Sequence, residues 1–258
     1  MTTLREVWER EAIKLGGWCV VPSPFSAELM GRSGFDWVCI DAQHGLIGYD
    51  QMAMMLQALA ITGTPAFVRV RWNEPGEIMK ALDAGAQGVI VPMVNSAEEA
   101  RQAVGASRYP PDGYRSWGPI RAALGVAGYT PASANRRTVV AIMIETPEGV
   151  AHADEILAVP GIDAVYVGPS DLAVGLGLTP PAHDPEHERL IEAVAAACRR
   201  HGVVAGIHCG SVEDARRWRE HGFQMLNVGS DAALLQGATR SVVQSLKGEV
   251  PTGAAEGV

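Results

Sequence analysis

The sequence predicts a closed (β/α)8 barrel. Eight short apolar runs alternate along the chain with helix-like segments, and four of those runs follow a glycine that ends a helical pattern. The length of 258 residues is close to the ~250 typical of such barrels. The alternation favours the barrel over a doubly wound sheet, the other architecture that puts helices over parallel strands.

In chain order, an N-terminal helix is followed by strands at 18–22, 37–41, 66–70, 88–93, 139–146, 164–168, 204–209 and 224–229. Between them, helical patterns fall at 49–61, 77–84, 97–103, 148–157, 185–201, 212–221 and 232–246. Gly34, Gly85, Gly161 and Gly222 mark the junctions, where a left-handed glycine ends a helix and turns the chain into a strand. Caps are expected at Asn73, Ser96, Asp184 and Ser211. Residues 1–247 read as one barrel domain, and 248–258 as a small polar tail that frays. The stretch 108–138, rich in Pro, Gly and Arg, breaks the rhythm; loops this long are functional or form interfaces. Gly175-Leu176-Gly177 lacks the further glycine of a nucleotide fingerprint.

Composition excludes several function classes. The net charge is −8 with no basic cluster, which argues against nucleic-acid and anionic-membrane partners. No apolar run reaches membrane-spanning length, and the charged N-terminus has no signal-peptide core, so a cytoplasmic protein is expected. Cys19, Cys39, Cys198 and Cys209 have no paired spacing and read as buried, reduced thiols.

Chemistry in a barrel collects at the C-terminal ends of the strands. Those ends carry Asp41 and His44 after strand two, Arg69 or Arg71 at the end of strand three, Glu145 after strand five, and Asp171 after strand six. Glu145 follows the run Ala141-Ile142-Met143-Ile144, where an unpartnered carboxylate is costly to bury. Glu145 and Asp171, on adjacent strands, make an oxygen-only site for a hard cation such as Mg2+ or Mn2+. Arg69 beside it suits a substrate carboxylate or enolate, or an ion pair to one of the carboxylates. His44 with Asp41 can form a base and its orienting partner. His208 also stands at a strand end, as a mouth or core histidine. The three lysines, Lys14, Lys80 and Lys247, all fall in helix-like segments, so carbonyl chemistry is expected to use a metal and not a Schiff base.

Six motifs in one order carry a resemblance. They are Asp41-Ala42-Gln43-His44-Gly45, Phe67-Val68-Arg69, Val91-Pro92-Met93-Val94-Asn95, Arg108-Tyr109-Pro110-Pro111-Asp112-Gly113-Tyr114-Arg115, Ile144-Glu145-Thr146 and Val167-Gly168-Pro169-Ser170-Asp171-Leu172. The set resembles the HpcH/HpaI aldolases, metal-dependent class II pyruvate aldolases that include 4-hydroxy-2-oxoheptanedioate, 2-keto-3-deoxy-sugar-acid and hydroxyketoacid aldolases. The resemblance spans residues 4–245. It implies a barrel of the phosphoenolpyruvate/pyruvate superfamily that cleaves 4-hydroxy-2-oxoacids to pyruvate and an aldehyde through a pyruvate enolate bound to Mg2+, Mn2+ or Co2+.

By motif match, Glu145 and Asp171 are the metal ligands. Arg69 holds the keto oxygen, and His44, oriented by Asp41, is the acid/base. The backbone of Gly168, Pro169 and Ser170 takes the pyruvate carboxylate, and Trp18 lines the aldehyde side. The resemblance also implies a homohexamer in which neighbours complete each site, the 108–138 loop contributing. One departure stands out: many members have glutamine two residues before the metal glutamate, where this chain has Met143. The competing readings are an acyl-CoA lyase of the citramalyl- or malyl-CoA type, with Arg115, Arg121, Arg136 and Arg137 as its basic patch, and a non-catalytic ketoacid sensor.

Overall fold

The computed structural model describes residues 3–10 and 12–247; the tail expected at 248–258 lies outside them. The chain runs α1 (Leu4–Arg10), β1 (Lys14–Cys19), α2 (Pro24–Gly31), β2 (Trp37–Asp41), α3 (Tyr49–Thr62), β3 (Ala66–Arg69), α4 (Pro75–Asp83), β4 (Gly88–Val91), α5 (Ala97–Ser107) and α6 (Pro131–Arg137). It continues through β5 (Val139–Met143), α7 (Pro147–Ala151), α8 (Ala153–Leu157), β6 (Ala164–Val167), α9 (Pro169–Gly175), α10 (Pro185–His201), β7 (Val204–Cys209), α11 (Val212–Glu220), β8 (Met225–Val228) and α12 (Asp231–Lys247). The strands pair in sequence order, all parallel, and β8 closes on β1. The expected barrel is the observed one.

The junction glycines do the work read from them. Gly34, Gly85, Gly161 and Gly222 have φ of 91°, 103°, 97° and 95°, a region side chains rarely adopt. Ser96, Asp184 and Ser211 cap α5, α10 and α11 through their side chains. Asn73 does not cap α4: Glu74 does, and the Asn73 amide donates to the Glu99 carbonyl instead. The pattern at 148–157 divides into α7 and α8 at His152, whose ring contacts the Asn95 carbonyl.

Strand β1 begins at Lys14, four residues before the expected start. Gly16 and Gly17 look unlike a strand, but the barrel needs them. A Cβ at Gly16 would stand 2.1 Å from the Trp37 ring, and one at Gly88 would stand 2.5 Å from Phe67. Glycine inside a strand marks such a close approach. Trp37 and Phe67 fill the space edge to face, 5.5 Å apart. Each large side chain buried this way stabilises the fold by roughly 1.5–3 kcal/mol. A second apolar layer, including Val38, Ile40, Val68, Val89 and Ile142, joins the outer strand faces to the helices.

This register also corrects the lysine reading. Lys14 is in a strand, buried, with its ammonium 5.3 Å from the Trp8 ring centre. It stands at the N-terminal floor of the barrel, roughly 20 Å of strand below the mouth at about 3.3 Å per residue. The case against a Schiff base therefore rests on where the lysine sits.

The 108–138 stretch lies at the floor too, because it joins a helix to the start of β5. It is tied down along its length. Arg115 pairs with Asp83 at 2.6 Å, Arg121 donates to the carbonyls of Ala84 and Leu56, and Arg108 donates to those of Asn135 and Thr138. Its last part is not loop but α6, closed by a Thr130–Ser133 capping box. The four cysteines are free and buried, as expected. Among the described residues, no helix is long and apolar enough to cross a membrane.

Candidate active site

The expected charged groups stand at or shortly after the C-terminal ends of strands. Asp41 ends β2 and Arg69 ends β3, and the two are directly paired in the sheet. The guanidinium grips the carboxylate with two bonds, Nε to Oδ1 at 2.9 Å and Nη2 to Oδ2 at 2.5 Å. The Trp18 indole N–H donates to Oδ2 at 3.1 Å, and the backbone N–H groups of Gln43 and His44 donate to Oδ1 at 3.0 and 3.3 Å. Burial opposes the Asp41 charge, but Arg69 outweighs it and holds the carboxyl below its ordinary range.

These bonds change two expected roles. Asp41 binds the His44 backbone, not its imidazole, so it fixes the turn that presents His44. The His44 side chain stands exposed on that turn. Trp18, expected on the aldehyde side, is 2% exposed and lies beneath the Asp41–Arg69 pair. It stacks on Tyr166 at 5.4 Å, supports the Arg69 guanidinium at 5.1 Å, and meets the His208 ring edge-on. Trp18 shares the inward face of β1 with Gly16 and forms a platform there.

Glu145 lies two residues past β5 and is 1% exposed. Its Oε1 accepts the Met93 N–H at 2.8 Å, while its Oε2 is buried with no partner among the described residues. Burial pushes the carboxyl up to about 7; the Met93 bond opposes this, and the negative charge of Asp171 adds to it. Asp171 sits exposed in the first turn of α9. Gly168, the N-cap of α9, lies against Glu145: a Cβ there would fall 2.3 Å from Oε2. Pro169 and Ser170 follow it into the helix.

The sign of a pH effect follows. Between 4.5, the ordinary value, and about 7, folded Glu145 holds a proton that the unfolded chain has released. This group therefore makes the metal-free protein lose stability as pH rises across that window. Denaturant midpoints of metal-free protein are expected to fall more steeply from pH 4.5 to 7 than those of Glu145→Gln. Parallel curves for the two proteins would refute it.

Several mouth residues carried no role in the sequence reading. Met93 has φ 56°, the one positive value for a non-glycine among the described residues. This conformation costs about 1–3 kcal/mol and aims its N–H at Glu145. Asn95 holds the same turn, bonding the Met93 carbonyl and the Thr146 hydroxyl beside Glu145. Deeper in, the Tyr166 hydroxyl donates to Asn227 Oδ1. An asparagine within Met225-Leu226-Asn227-Val228 was the available signal, because a polar group in a buried run needs a partner. His208 faces the barrel interior; burial and the nearby Arg69 charge pull its pKa down to about 4, so it is neutral near pH 7. Met143 puts its sulfur 3.9 Å from Arg69 Nη1. Arg69 thus turns two nitrogens to Asp41 and leaves the third facing a thioether, a weak acceptor. A separate cleft of about 360 Å³ outside the barrel, lined by Tyr49, Arg71 and Lys80 among others, contains none of these groups.

A paired acid and arginine, a buried carboxylate with an open oxygen, and a second carboxylate, all at one barrel mouth, can be compared with known proteins. Residues 14–238 match the family model described as HpcH/HpaI aldolase/citrate lyase. The chain belongs to that family. It is 41% identical over 246 residues to a hydroxypyruvate/pyruvate aldolase of Rhizorhabdus wittichii, covering 94% of this chain and 98% of the relative. It is 37% identical over 238 residues to a 5-keto-4-deoxy-D-glucarate aldolase of Klebsiella pneumoniae, covering 91% and 93%. A solved HpcH/HpaI aldolase/citrate lyase family protein from Burkholderia cenocepacia superposes with a TM-score of 0.89 at 33% identity, covering 95% of this chain and 98% of that one. The expected family, the barrel and the enzyme class, a carbon–carbon lyase, stand on these matches.

Proposed function

We propose that the protein catalyses reversible aldol cleavage of 4-hydroxy-2-oxoacids to pyruvate and an aldehyde, with a divalent cation (Mg2+, Mn2+ or Co2+) held by Glu145 and Asp171. The observation that carries the reading is Glu145 Oε2, a buried carboxylate oxygen with no partner, beside Gly168 and within the field of Asp171. Such an oxygen fits a hard cation. Among the described residues no three metal-ligating side chains cluster, so two carboxylates would leave the other positions to water and substrate. When bound, the cation would supply Lewis acidity to the keto oxygen that gains charge as the enolate forms.

The protein's own groups supply the rest. The Arg69 nitrogen not engaged by Asp41 stabilises the keto oxygen as it gains charge in the enolate. In cleavage, His44 removes the proton from the C4 hydroxyl through a water, the C3–C4 bond breaks as its electron pair passes into the enolate, the aldehyde leaves, and the enolate takes a proton at C3 from water to become pyruvate. His44 returns a proton in the reverse direction, and Asp41 holds the turn that carries it. The Ser170 and Asp171 N–H groups open α9 after Pro169, which has none, and suit the pyruvate carboxylate. Both named relatives are aldolases, one of hydroxypyruvate/pyruvate and one of a ketodeoxy sugar acid, which supports this substrate class. We also read the chain as a homohexamer; Trp117, Ile120 and Leu124 expose apolar surface on the floor loop, which supports packing against another copy.

The acyl-CoA lyase reading loses its basic patch. Arg115 and Arg121 are engaged at the floor, and Arg136 and Arg137 lie on α6 just before β5, at the end away from the mouth. The deciding experiment follows exchange of the pyruvate C3 hydrogens in D2O, then pyruvate release from free 4-hydroxy-2-oxoacids and from CoA esters. Metal-dependent exchange and release from the free acids are expected. Exchange that survives EDTA, with a borohydride-trapped lysine adduct, would replace the metal reading; no exchange at all would leave the sensor.

A further inference from the structure

The helix that carries Asp171 is gripped from behind by a histidine the proposed chemistry does not use. His187 lies in the first turn of α10 and is 4% exposed. Its ring Nε2 is 2.8 Å from the Pro169 carbonyl. A carbonyl only accepts, so Nε2 is the donor. That Nδ1 is buried with no partner among the described residues. The whole polarity of a buried ring is thus committed to one bond.

The bond's target explains it. Pro169 opens α9, a helix of seven residues whose N-cap, Gly168, offers no side-chain bond. A helix this short does not hold itself together in water. At its far end it has support: Leu178 N–H bonds the Ala173 carbonyl, and Gly175 packs on Pro147. At its first turn, the His187 bond is the one side-chain hydrogen bond among the described residues. The donor's helix is the opposite case. α10 has 17 residues, an Asp184 cap that bonds the His187 backbone N–H, and a left-handed Gly202 at its end. Ile191, Val194, Ala195 and Cys198 bury its inner face.

We infer that His187 is a positioning residue that holds the first turn of α9, through the Pro169 carbonyl, where Asp171 can act together with Glu145. The inference rests on the metal reading above. Partners of this kind behind a ligand change metal affinity by roughly 10–100-fold.

The test titrates metal-free protein with Mn2+, reading free Mn2+ by electron paramagnetic resonance, with kinetics at saturating metal alongside. His187→Leu removes the bond at similar volume. Its Mn2+ affinity is expected to fall by about tenfold or more, with a much smaller change in kcat once metal saturates. His187→Gln, whose amide reaches where Nε2 does, is expected to restore affinity to within about threefold. A folded His187→Leu that binds Mn2+ like the wild type overturns the inference, as does a His187→Gln as weak as His187→Leu. If His187→Leu does not fold, His187→Asn carries the test: its amide is too short to reach Pro169, so retained affinity overturns the inference. Wild-type protein that binds no Mn2+ overturns both this inference and the metal reading; normal binding that His187 variants leave unchanged overturns this one alone.

Discussion

Glu145→Ala and Asp171→Ala are expected to abolish metal-dependent cleavage and Mn2+ binding without unfolding the protein. The negative charge of Asp171 reaches Glu145, and the metal reading assigns both carboxylates to one cation. Losing either leaves too few protein ligands to hold the ion, and the loss reaches several kcal/mol of transition-state stabilisation, about a thousandfold or more in kcat/KM. Stability separates this reading from a structural one. Glu145 is a buried carboxylate that burial already pushes toward its neutral form, with one oxygen unpartnered. Its removal takes away a burden from the metal-free fold. Asp171 is exposed in a first turn, where its loss costs well under 1 kcal/mol. Glu145→Ala also leaves the Met93 N–H without its acceptor, which offsets that gain by about 1–3 kcal/mol, so metal-free melting temperatures of both variants are expected to stay close to the wild type's. A marked drop in melting temperature, or more than a tenth of wild-type turnover with added metal, would count against the assignment.

Arg69→Ala should fail twice, in chemistry and in folding. Removing the donor that the proposed mechanism assigns to the developing enolate is expected to lower kcat by about 10²–10³-fold. It also strands Asp41, which is 1% exposed and receives two of its bonds from Arg69. Breaking one partner of a buried pair costs about 3–5 kcal/mol. Arg69→Lys is expected to recover part of the stability and little of the rate, because an ammonium cannot span both carboxylate oxygens and still face the substrate. The pair Arg69→Ala with Asp41→Asn separates the two effects. Denaturant unfolding should show recovered stability, because no charge is left buried alone, while kcat stays at the level of Arg69→Ala. A double variant that regains turnover would show that Arg69 acts only by neutralising Asp41.

Much of the fold was legible because it is written locally. A glycine that needs positive φ, an apolar run and a capping residue all lie within a few positions of each other, so the eight strands and their order follow from short-range patterns. The reading slipped where a local pattern served a distant partner. Gly16 and Gly17 are unlike a strand until Trp37 and Phe35 are placed against them, and the earlier strand start moves Lys14 from a helix to the floor. The candidate site divides the same way. Its charged members stood out, because a carboxylate or arginine beside a buried run is rarely idle. Met93, Asn95, Tyr166 and Asn227 did not, because their contribution is a backbone direction or a single bond to a residue far along the chain.

The sequence by itself determined the barrel, the strand ends that carry chemistry, and the family resemblance, since periodicity and residue type settle which groups reach the mouth. Only the tertiary structure decided what each group does there. Asp41 turned out to hold Arg69 and the backbone of His44, not the imidazole; Glu145 was left with one oxygen open; and the long loop went to the floor. The reason is physical: a hydrogen bond has one direction and a range of about 3 Å, and which partner falls within it is fixed by how strands far apart in sequence pair around the barrel.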